Sequence, residues 1–598
     1  MSSDLTKNPF AVQSPEHIAA EDVISLFVED FADFHQVLRT GHTFLHGARG
    51  SGKSMIFRYL EPDCQVIAKK CALHQLEFFS FYIPIKETDL RLTELLRLEK
   101  ERHGSLALNE HLMVVSFAIK MLASLQRISV HASATAAKDL AAFVDGGLKK
   151  LLQRGGWSAE IPAIAAEASF DQVRQMATEV MEEVHAEISQ FIQRLSLGRN
   201  YTYEGALLGF LDFLKPFTLA LRSLPFMPKV PVFLLIDDAD NLSEEQTRIL
   251  NTWISSRGVA ELSLKVSTQL RYKTYRTVSG QQIEMPHDFA EVEISNVYTS
   301  DRDRYGKRVH DIVLRRLQKA NIAATPEEFF PPDKEQEREI EELAAKIVEA
   351  FPTEGRGHRA RDDAYRYARP NFIRGLGGAR KASSTYSYAG FSQLVHVSSG
   401  VVRYFLEPAA LMWGEQSAAN DSKPVLSIAP HIQNKIVRSE ANRFLTSEFE
   451  RITQDETRGP DHRDKAWKLR NLIDSLGSLF QSILVSDDAE RRIFSVAFSN
   501  GPDDEVRAVF NLGAEYNYFH KSSIGKKEGG GRTDLYILSR RIAPVFNLDP
   551  SSFAGYKFIT NDTARMMVLE PKRFTNSLRA GSSADLVDPP QGNLFGEA

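Results

Sequence analysis

Between residues 47 and 54 the chain reads Gly47-Ala48-Arg49-Gly50-Ser51-Gly52-Lys53-Ser54, and few folds have a place for that octet. Gly47, Gly50, Ser51 and Gly52 describe a loop whose backbone N–H groups can surround phosphate oxygens with no bulky side chain in the way. The flanks supply the context such a loop needs. Thr43, Phe44 and Leu45 read as a short apolar strand, and Ser54 to Leu60 reads as a helix stopped by Pro62. A helix starting there aims the positive end of its dipole at a bound anion. In such a loop Lys53 reaches the β- and γ-phosphates and the Ser54 hydroxyl binds magnesium.

A second segment completes the pattern. Val232 to Ile236 is a continuous apolar run that meets Asp237 and Asp238, as expected of a parallel strand buried on both faces. Asp237 is expected to hold magnesium through water, and Asp238 to position or polarise the attacking water. Leu262, Leu264 and Val266 alternate with polar residues up to Thr268, a candidate sensor of the γ-phosphate, with Gln269 as the alternative. Asn434-Lys435-Ile436-Val437 lacks the aspartate of a guanine clamp, which leaves adenine. The expected cofactors are ATP and Mg2+, and the expected activity is ATP hydrolysis.

Strands at Phe78–Ile85, Val232–Ile236, Leu262–Val266 and around Val292 and Ile294 alternate with helices, so the fold class is α/β, a three-layer P-loop core around a parallel sheet. That core spans 1–300 and carries a helical insertion at about 130–225. Within the insertion Val173, Met176, Val180, Val184, Ile188, Phe191 and Leu195 keep helical spacing behind a Ser169/Gln172 capping box. Ser243 and Gln246 form a second box. Residues 301–423 read as a helical lid, interrupted by a Gly-, Arg-, Tyr- and Ser-rich loop at 352–390. Residues 424–580 hold long helices, a helix at Glu505 to His520, and Lys526-Lys527-Glu528-Gly529-Gly530-Gly531-Arg532 leading into a strand at Leu535–Leu538, which together suggest a winged helix. Residues 581–598 read as a disordered tail.

The motifs resemble those of AAA+ ATPases of the origin-recognition and initiator-loader type. The likeness rests on Gly47 to Ser54, Leu234 to Asp240, Thr268, and Gly400-Val401-Val402-Arg403. It implies that Arg403 is a sensor-2 arginine on the lid, that a C-terminal winged helix binds DNA, and that the chain forms a homo-oligomer. One departure is Asp237-Asp238 where the family has Asp-Glu. That pair also resembles STAND and KAP-type ATPases, slow switches in signalling and antiviral defence that act through a partner effector protein. Arg257, Arg271 and Arg276 are all candidates for an arginine finger.

With 598 residues and a net charge of -5, the whole chain is no electrostatic magnet for DNA, so any contact must be local. One basic stretch runs from 356 to 381, with Arg356, Arg359, Arg361, Arg366, Arg369, Arg374, Arg380 and Lys381 interleaved with Tyr365 and Tyr367. The other is the wing, with Lys521, Lys526, Lys527 and Arg532, and Arg540 and Arg541 behind. The tail carries Gln591, Leu594 and Phe595, a Gln-x-x-Leu-Phe pattern that resembles the peptide by which bacterial proteins bind the sliding clamp. Two cysteines, Cys64 and Cys71, make no zinc site and fit a reducing compartment. The N-terminus has no apolar signal region, and the most apolar run, Val230 to Ile236, is too short to span a bilayer, so a cytoplasmic protein without a membrane partner is expected.

Overall fold

The computed structural model describes residues 8–29, 34–85, 106–131, 134–196, 203–256, 260–269, 272–294, 302–350, 360–376, 385–420, 423–455, 459–486, 492–526, 530–551 and 555–579. They divide into two compact units, one of Gln13–Arg304 and one of Met1–Val12 with Tyr305–Ala598.

The first unit is built on a five-stranded sheet: β1 (Thr43–His46), β2 (Phe79–Pro84), β3 (Val232–Asp237), β4 (Leu262–Thr268) and β5 (Ala290–Glu293), in the order β2-β3-β4-β1-β5. Every pairing is parallel. All strands therefore finish at one edge of the sheet, which is where the loop after β1 and the acids after β3 lie. Alternation along the strands feeds two cores. Phe44, Val232, Leu234 and Ile236 join the larger one, while Leu45, Phe233, Leu235 and Val292 join the other. Burial on both faces is why β3 reads as an unbroken apolar run.

Helix α1 (Lys53–Tyr59) follows the glycine loop and packs Ile56 and Phe57 into the smaller core. Between β2 and β3 most of the described chain is helical, as its periodicity predicts, with non-helical stretches at 155–169, 203–209 and 223–231. Its two principal helices are α2 (Leu106–Ser124), against β2, and α3 (Phe170–Ser196), against α2. The Ser169/Gln172 capping box forms, with Gln172 N donating to Ser169 Oγ at 3.3 Å and Ser169 N to Gln172 Oε1 at 2.8 Å. The second capping box, Ser243/Gln246, opens α4 (Glu244–Ser255). Glu110 on α2 accepts from Phe210 N and from Trp253 Nε1 on α4, tying the insertion to the sheet layer.

One expectation needs correcting here. Leu106–Ser129, not Val230–Ile236, is the long apolar stretch, and at 24 residues it is long and apolar enough to cross a membrane. It is apolar on most sides because β2, α3 and α4 surround it, and 67% of its most apolar window is buried within the protein.

The alternation in β4 suggests one wet face, yet all seven of its residues are buried. Its polar residues are satisfied internally instead. Lys265 Nζ donates to Arg39 O at 2.6 Å, Gly41 O at 2.9 Å and Thr43 Oγ1 at 2.9 Å, and lies 4.7 Å from the centre of the Phe233 ring. Three acceptors match the three donors of an ammonium. They also pin the chain entering β1.

The second unit takes up the chain within helix Arg302–Lys319 and continues with α5 (Lys334–Glu349). The long loop expected at 352–390 is instead broken by a helix, α6 (Ala360–Leu376), lying along α5. Its buried residues Ala364, Ala368, Phe372 and Ile373 recur at helical spacing, and Pro370 sits inside it without ending it. Then come α7 (Phe391–Val397), α8 (Val402–Ala419), α9 (Pro430–Leu445) and α10 (His462–Leu484).

A second sheet follows, formed by β6 (Ile493–Phe498), β7 (Phe519–Gly525), β8 (Arg532–Leu538) and β9 (Gly555–Ile559) in the order β7-β8-β6-β9. β7 and β8 are an antiparallel hairpin, and β6 pairs antiparallel with β8 and parallel with β9. A single helix, α11 (Asp504–Glu515), stands between β6 and the hairpin. It ends before the expected His520 because Asn517 turns left-handed at φ 61° while Tyr518 N bonds back to Gly513 O.

Replacing Lys265 with methionine keeps the stem but removes all three hydrogen bonds and strands the buried Thr43 hydroxyl. The unfolding free energy is expected to fall by about 2–4 kcal/mol, read from the urea midpoint. A midpoint equal to wild type would mean that those acceptors are satisfied without the ammonium.

Candidate functional site

The glycine loop bridges β1 and α1. Gly50 and Gly52 take φ of 90° and 105°, a left-handed conformation that side chains other than glycine adopt at a cost. At Gly47 a Cβ would come within 2.6 Å of Ser51 Oγ. Lys53 is buried and its ammonium curls over the loop, donating to Gly47 O at 2.8 Å and Ala48 O at 3.2 Å. The Ser51 hydroxyl is buried with no hydrogen-bond partner among the described residues. A tight turn, a buried cation and an unsatisfied hydroxyl at one strand end are features that suit a polyphosphate.

Two positions away in the sheet, β3 ends at Asp237, which is 1% exposed. Its carboxylate is held from two sides: Tyr82 OH of β2 donates to Oδ2 at 2.9 Å, and Ser267 Oγ of β4 donates to Oδ1. Asp238 follows with φ 55° and ψ 44°, and its N–H reaches both Asp237 Oδ1 and Ser267 Oγ. That turn carries Asp238 out of the sheet to an exposed position flanked by Asp237, Asp240, Lys53 and Arg49. Desolvation by the surrounding protein, and then the nearby charges of Asp237 and Asp240, push its pKa up to about 6, against the pull of Lys53 and Arg49. A carboxylate so placed is a better proton acceptor than an ordinary aspartate.

Thr268 closes β4 beside the loop, its carbonyl accepting from Gly47 N at 3.2 Å. Its hydroxyl is fully buried, contacting His46 Nδ1 at 2.6 Å and donating to Gln269 O at 2.9 Å. The side chain of Gln269, the alternative sensor, donates to Asp240 Oδ2 at 2.7 Å. Tyr82, Ser267 and His46 were not singled out from the sequence. Each earns its place through contacts across the sheet.

The expected magnesium ligands are the Ser54 hydroxyl and the Asp237 carboxylate. The donor set fits the ion: a hydroxyl at the start of α1 and a carboxylate already oriented by two hydrogen bonds are the hard oxygen ligands that magnesium takes.

Arg403 belongs to the second unit, on the first turn of α8, 3.8 Å from Glu407. Arg276 donates to Gly280 O, while Arg257 and Arg271 lie outside the described residues. Of the nucleic-acid candidates, Lys526 and Arg532 are exposed on the hairpin, where Arg532 also braces Ser523. Arg366 is half-buried on α6. Lys527, Arg359 and the tail residues Gln591, Leu594 and Phe595 lie outside the described residues.

Three arginines of the basic stretches are structural. Arg369 makes a two-pronged pair with Glu337, at 3.1 and 2.8 Å, and reaches Tyr386 OH. Arg540 is 2% exposed, donating to Pro550 O. Arg541 is 5% exposed, sandwiched between Tyr404 and Phe444 and paired with Glu448. Arg540 and Arg541 therefore do not face a nucleic-acid backbone as the sequence suggested, because the core uses their charge and stems.

A family model described as ORC-CDC6-like matches residues 8–357 and 337–558. No curated protein matches the sequence. Among solved structures, Cdc6p from Pyrobaculum aerophilum is 11% identical over 96% of this chain and 98% of its own, with a TM-score of 0.25, a likeness too slight to inform the fold.

Tyr82→Phe removes one of the two groups that orient Asp237. Mg2+ affinity, read by titrating the ion against bound fluorescent nucleotide, is expected to weaken about tenfold. An unchanged titration would mean that Ser267 alone suffices.

Proposed function

We infer that this chain, which belongs to the ORC-CDC6-like family, binds ATP with Mg2+ at the Gly47–Ser54 loop and hydrolyses it in a DNA-associated task. The observation that carries this reading is the meeting of Lys53 at the head of β1 and the Asp237-Asp238 pair at the head of β3, on one edge of a parallel sheet. Lys53 leaves its loop carbonyls for phosphate oxygens. Ser54 and Asp237 hold magnesium, which when bound neutralises phosphate charge and orients the terminal phosphoryl group. Asp238 accepts a proton from, or aligns, the attacking water.

Further parts of the reading extend beyond the site. Arg403 on the lid senses the γ-phosphate and closes the site within a homo-oligomer. Lys526, Lys527 and Arg532 on the winged-helix-like hairpin, together with Arg359 and Arg366, contact DNA phosphates. Gln591, Leu594 and Phe595 tether the chain to the bacterial sliding clamp. A second reading, an antiviral switch of the STAND or KAP kind that signals through a partner effector, is favoured by Asp238. Its side chain is one methylene shorter than the glutamate usual at that position and suits slow turnover.

Steady-state ATPase rates with and without double-stranded DNA decide between the two, with Lys53→Ala as the blank. A Lys53-dependent rate that rises with DNA is expected. A slow rate indifferent to DNA would favour the switch, and a rate equal to the blank would remove both. Deleting residues 589–598 is expected to abolish capture on immobilised bacterial sliding clamp while leaving the ATPase rate unchanged. Failure of the intact chain to bind clamp would end the tether reading.

A further inference from the structure

His46 is the last residue of β1 and the immediate neighbour of Gly47, and in the parallel register it stands opposite Thr268. Both side chains are nearly or fully buried, at 8% and 0% exposure. Their contact, His46 Nδ1 to Thr268 Oγ1 at 2.6 Å, is the shortest polar link between the strand that carries the loop and the strand that ends in the sensor candidate.

The other ring nitrogen faces away from the loop. His46 Nε2 lies 3.3 Å from Tyr275 OH and 3.4 Å from Glu291 Oε1, and Tyr275 OH donates to that same carboxylate at 2.8 Å. The ring plane lies parallel to Phe44, at 1°, with centroids 5.8 Å apart. Orientation is therefore fixed by a ring face and by contacts at both nitrogens. Burial, helped by the charge of Lys53 on α1, lowers the His46 pKa against the pull of Glu291 on β5 and of the Gln269 backbone, which keeps the ring neutral near pH 7.

A neutral imidazole has one N–H, and the Thr268 hydroxyl has one proton. That hydroxyl already donates to Gln269 O at 2.9 Å. The short contact with His46 is made with either Nδ1–H or the hydroxyl as donor, and in both cases it fixes the position of Thr268 Oγ1.

We propose that His46 is a positioning residue for ATP hydrolysis: through its Nδ1 contact it holds the Thr268 hydroxyl at the end of β4, beside the backbone of the phosphate loop, and it joins that hydroxyl to the exposed edge of β5 through Tyr275 and Glu291. The proposal rests on the reading of the Gly47–Ser54 loop as an ATPase site.

Chemistry supplies a test that a merely structural role would not pass. Asparagine at position 46 can place an amide N–H near the position of Nδ1. Glutamine places its amide near Nε2. His46→Ala and Thr268→Val are each expected to lower kcat about tenfold, with nucleotide affinity within about twofold of wild type. The double variant is expected to be no worse than either single, since both break one contact. His46→Asn is expected to recover most of kcat and His46→Gln to recover little. Equal rates for the asparagine and glutamine variants, a wild-type rate for His46→Ala, or additive losses in the double variant would each overturn the proposal. Thermal unfolding of each variant separates these outcomes from a folding defect, and His46→Asn retains the packing if the alanine variant does not fold. A wild-type rate no higher than that of Lys53→Ala would remove the ATPase reading and this proposal with it, whereas a Lys53-dependent rate insensitive to His46 would remove this proposal alone.

Discussion

A polar side chain on a strand that water cannot reach must find its partners inside the protein, and the first unit is organised around how β4 does so. Ser263 Oγ accepts from Gly41 N, and Lys265 binds the carbonyls of Arg39 and Gly41 and the Thr43 hydroxyl. Ser267 Oγ joins Asp237 to the backbone of Asp238, and Thr268 O holds Gly47 N. Every one of these partners is either the entry to β1, the loop after it, or the acids after β3. β4 contributes neither the lysine nor the acidic pair, yet its hydrogen bonds fix the spacing between them.

The same fact explains what could be read in advance and what could not. The loop, its lysine and the acidic pair declare themselves locally, because backbone approach to an anion demands glycine and a doubly buried strand demands an apolar run. Capping boxes at Ser169 and Ser243 are equally local. Tyr82 and His46 are different. Tyr82 meets Asp237 across 155 residues of sequence and His46 meets Thr268 across 222, so nothing near either residue marks it. β4 misleads for a related reason: its alternation matches a strand with one wet face, and only the partners of Lys265 and Ser267 reveal that both faces are dry.

In the second unit the misreadings come from charge. The run from 356 to 381 looks like a basic loop in composition, but a helix organises part of it, and Arg369 is consumed by Glu337 on the neighbouring helix. β6 and β9 escape notice because they pair in parallel with about sixty residues between them, and no turn signal joins such strands. Arginine is suited to this interior use. Its stem packs, its planar head stacks on rings, and its fork matches a carboxylate. Clusters of arginine in sequence therefore overstate the positive surface, and two of the positions that are exposed, Lys526 and Arg532, sit together at the end of the hairpin.

That hairpin is rooted in the helix that carries Arg403. The turn before α8 is left-handed at both Ser399, φ 52°, and Gly400, φ 85°, and a serine keeps such a conformation only where its surroundings hold it. They do so from the two feet of the hairpin. His520 at the start of β7 contacts Ser399 Oγ at 3.1 Å, and the N–H of Arg540, just past β8, donates to the same oxygen at 3.2 Å. One residue on, the Arg541 guanidinium lies 4.2 Å from the centre of the Tyr404 ring, next to Arg403 in the chain. Ser399, His520, Arg540 and Arg541 are all buried, so the base of the hairpin and the first turn of α8 pack as one body. A hairpin built this way cannot shift at its feet without breaking buried hydrogen bonds, and the backbone it would disturb first is the turn that presents Arg403.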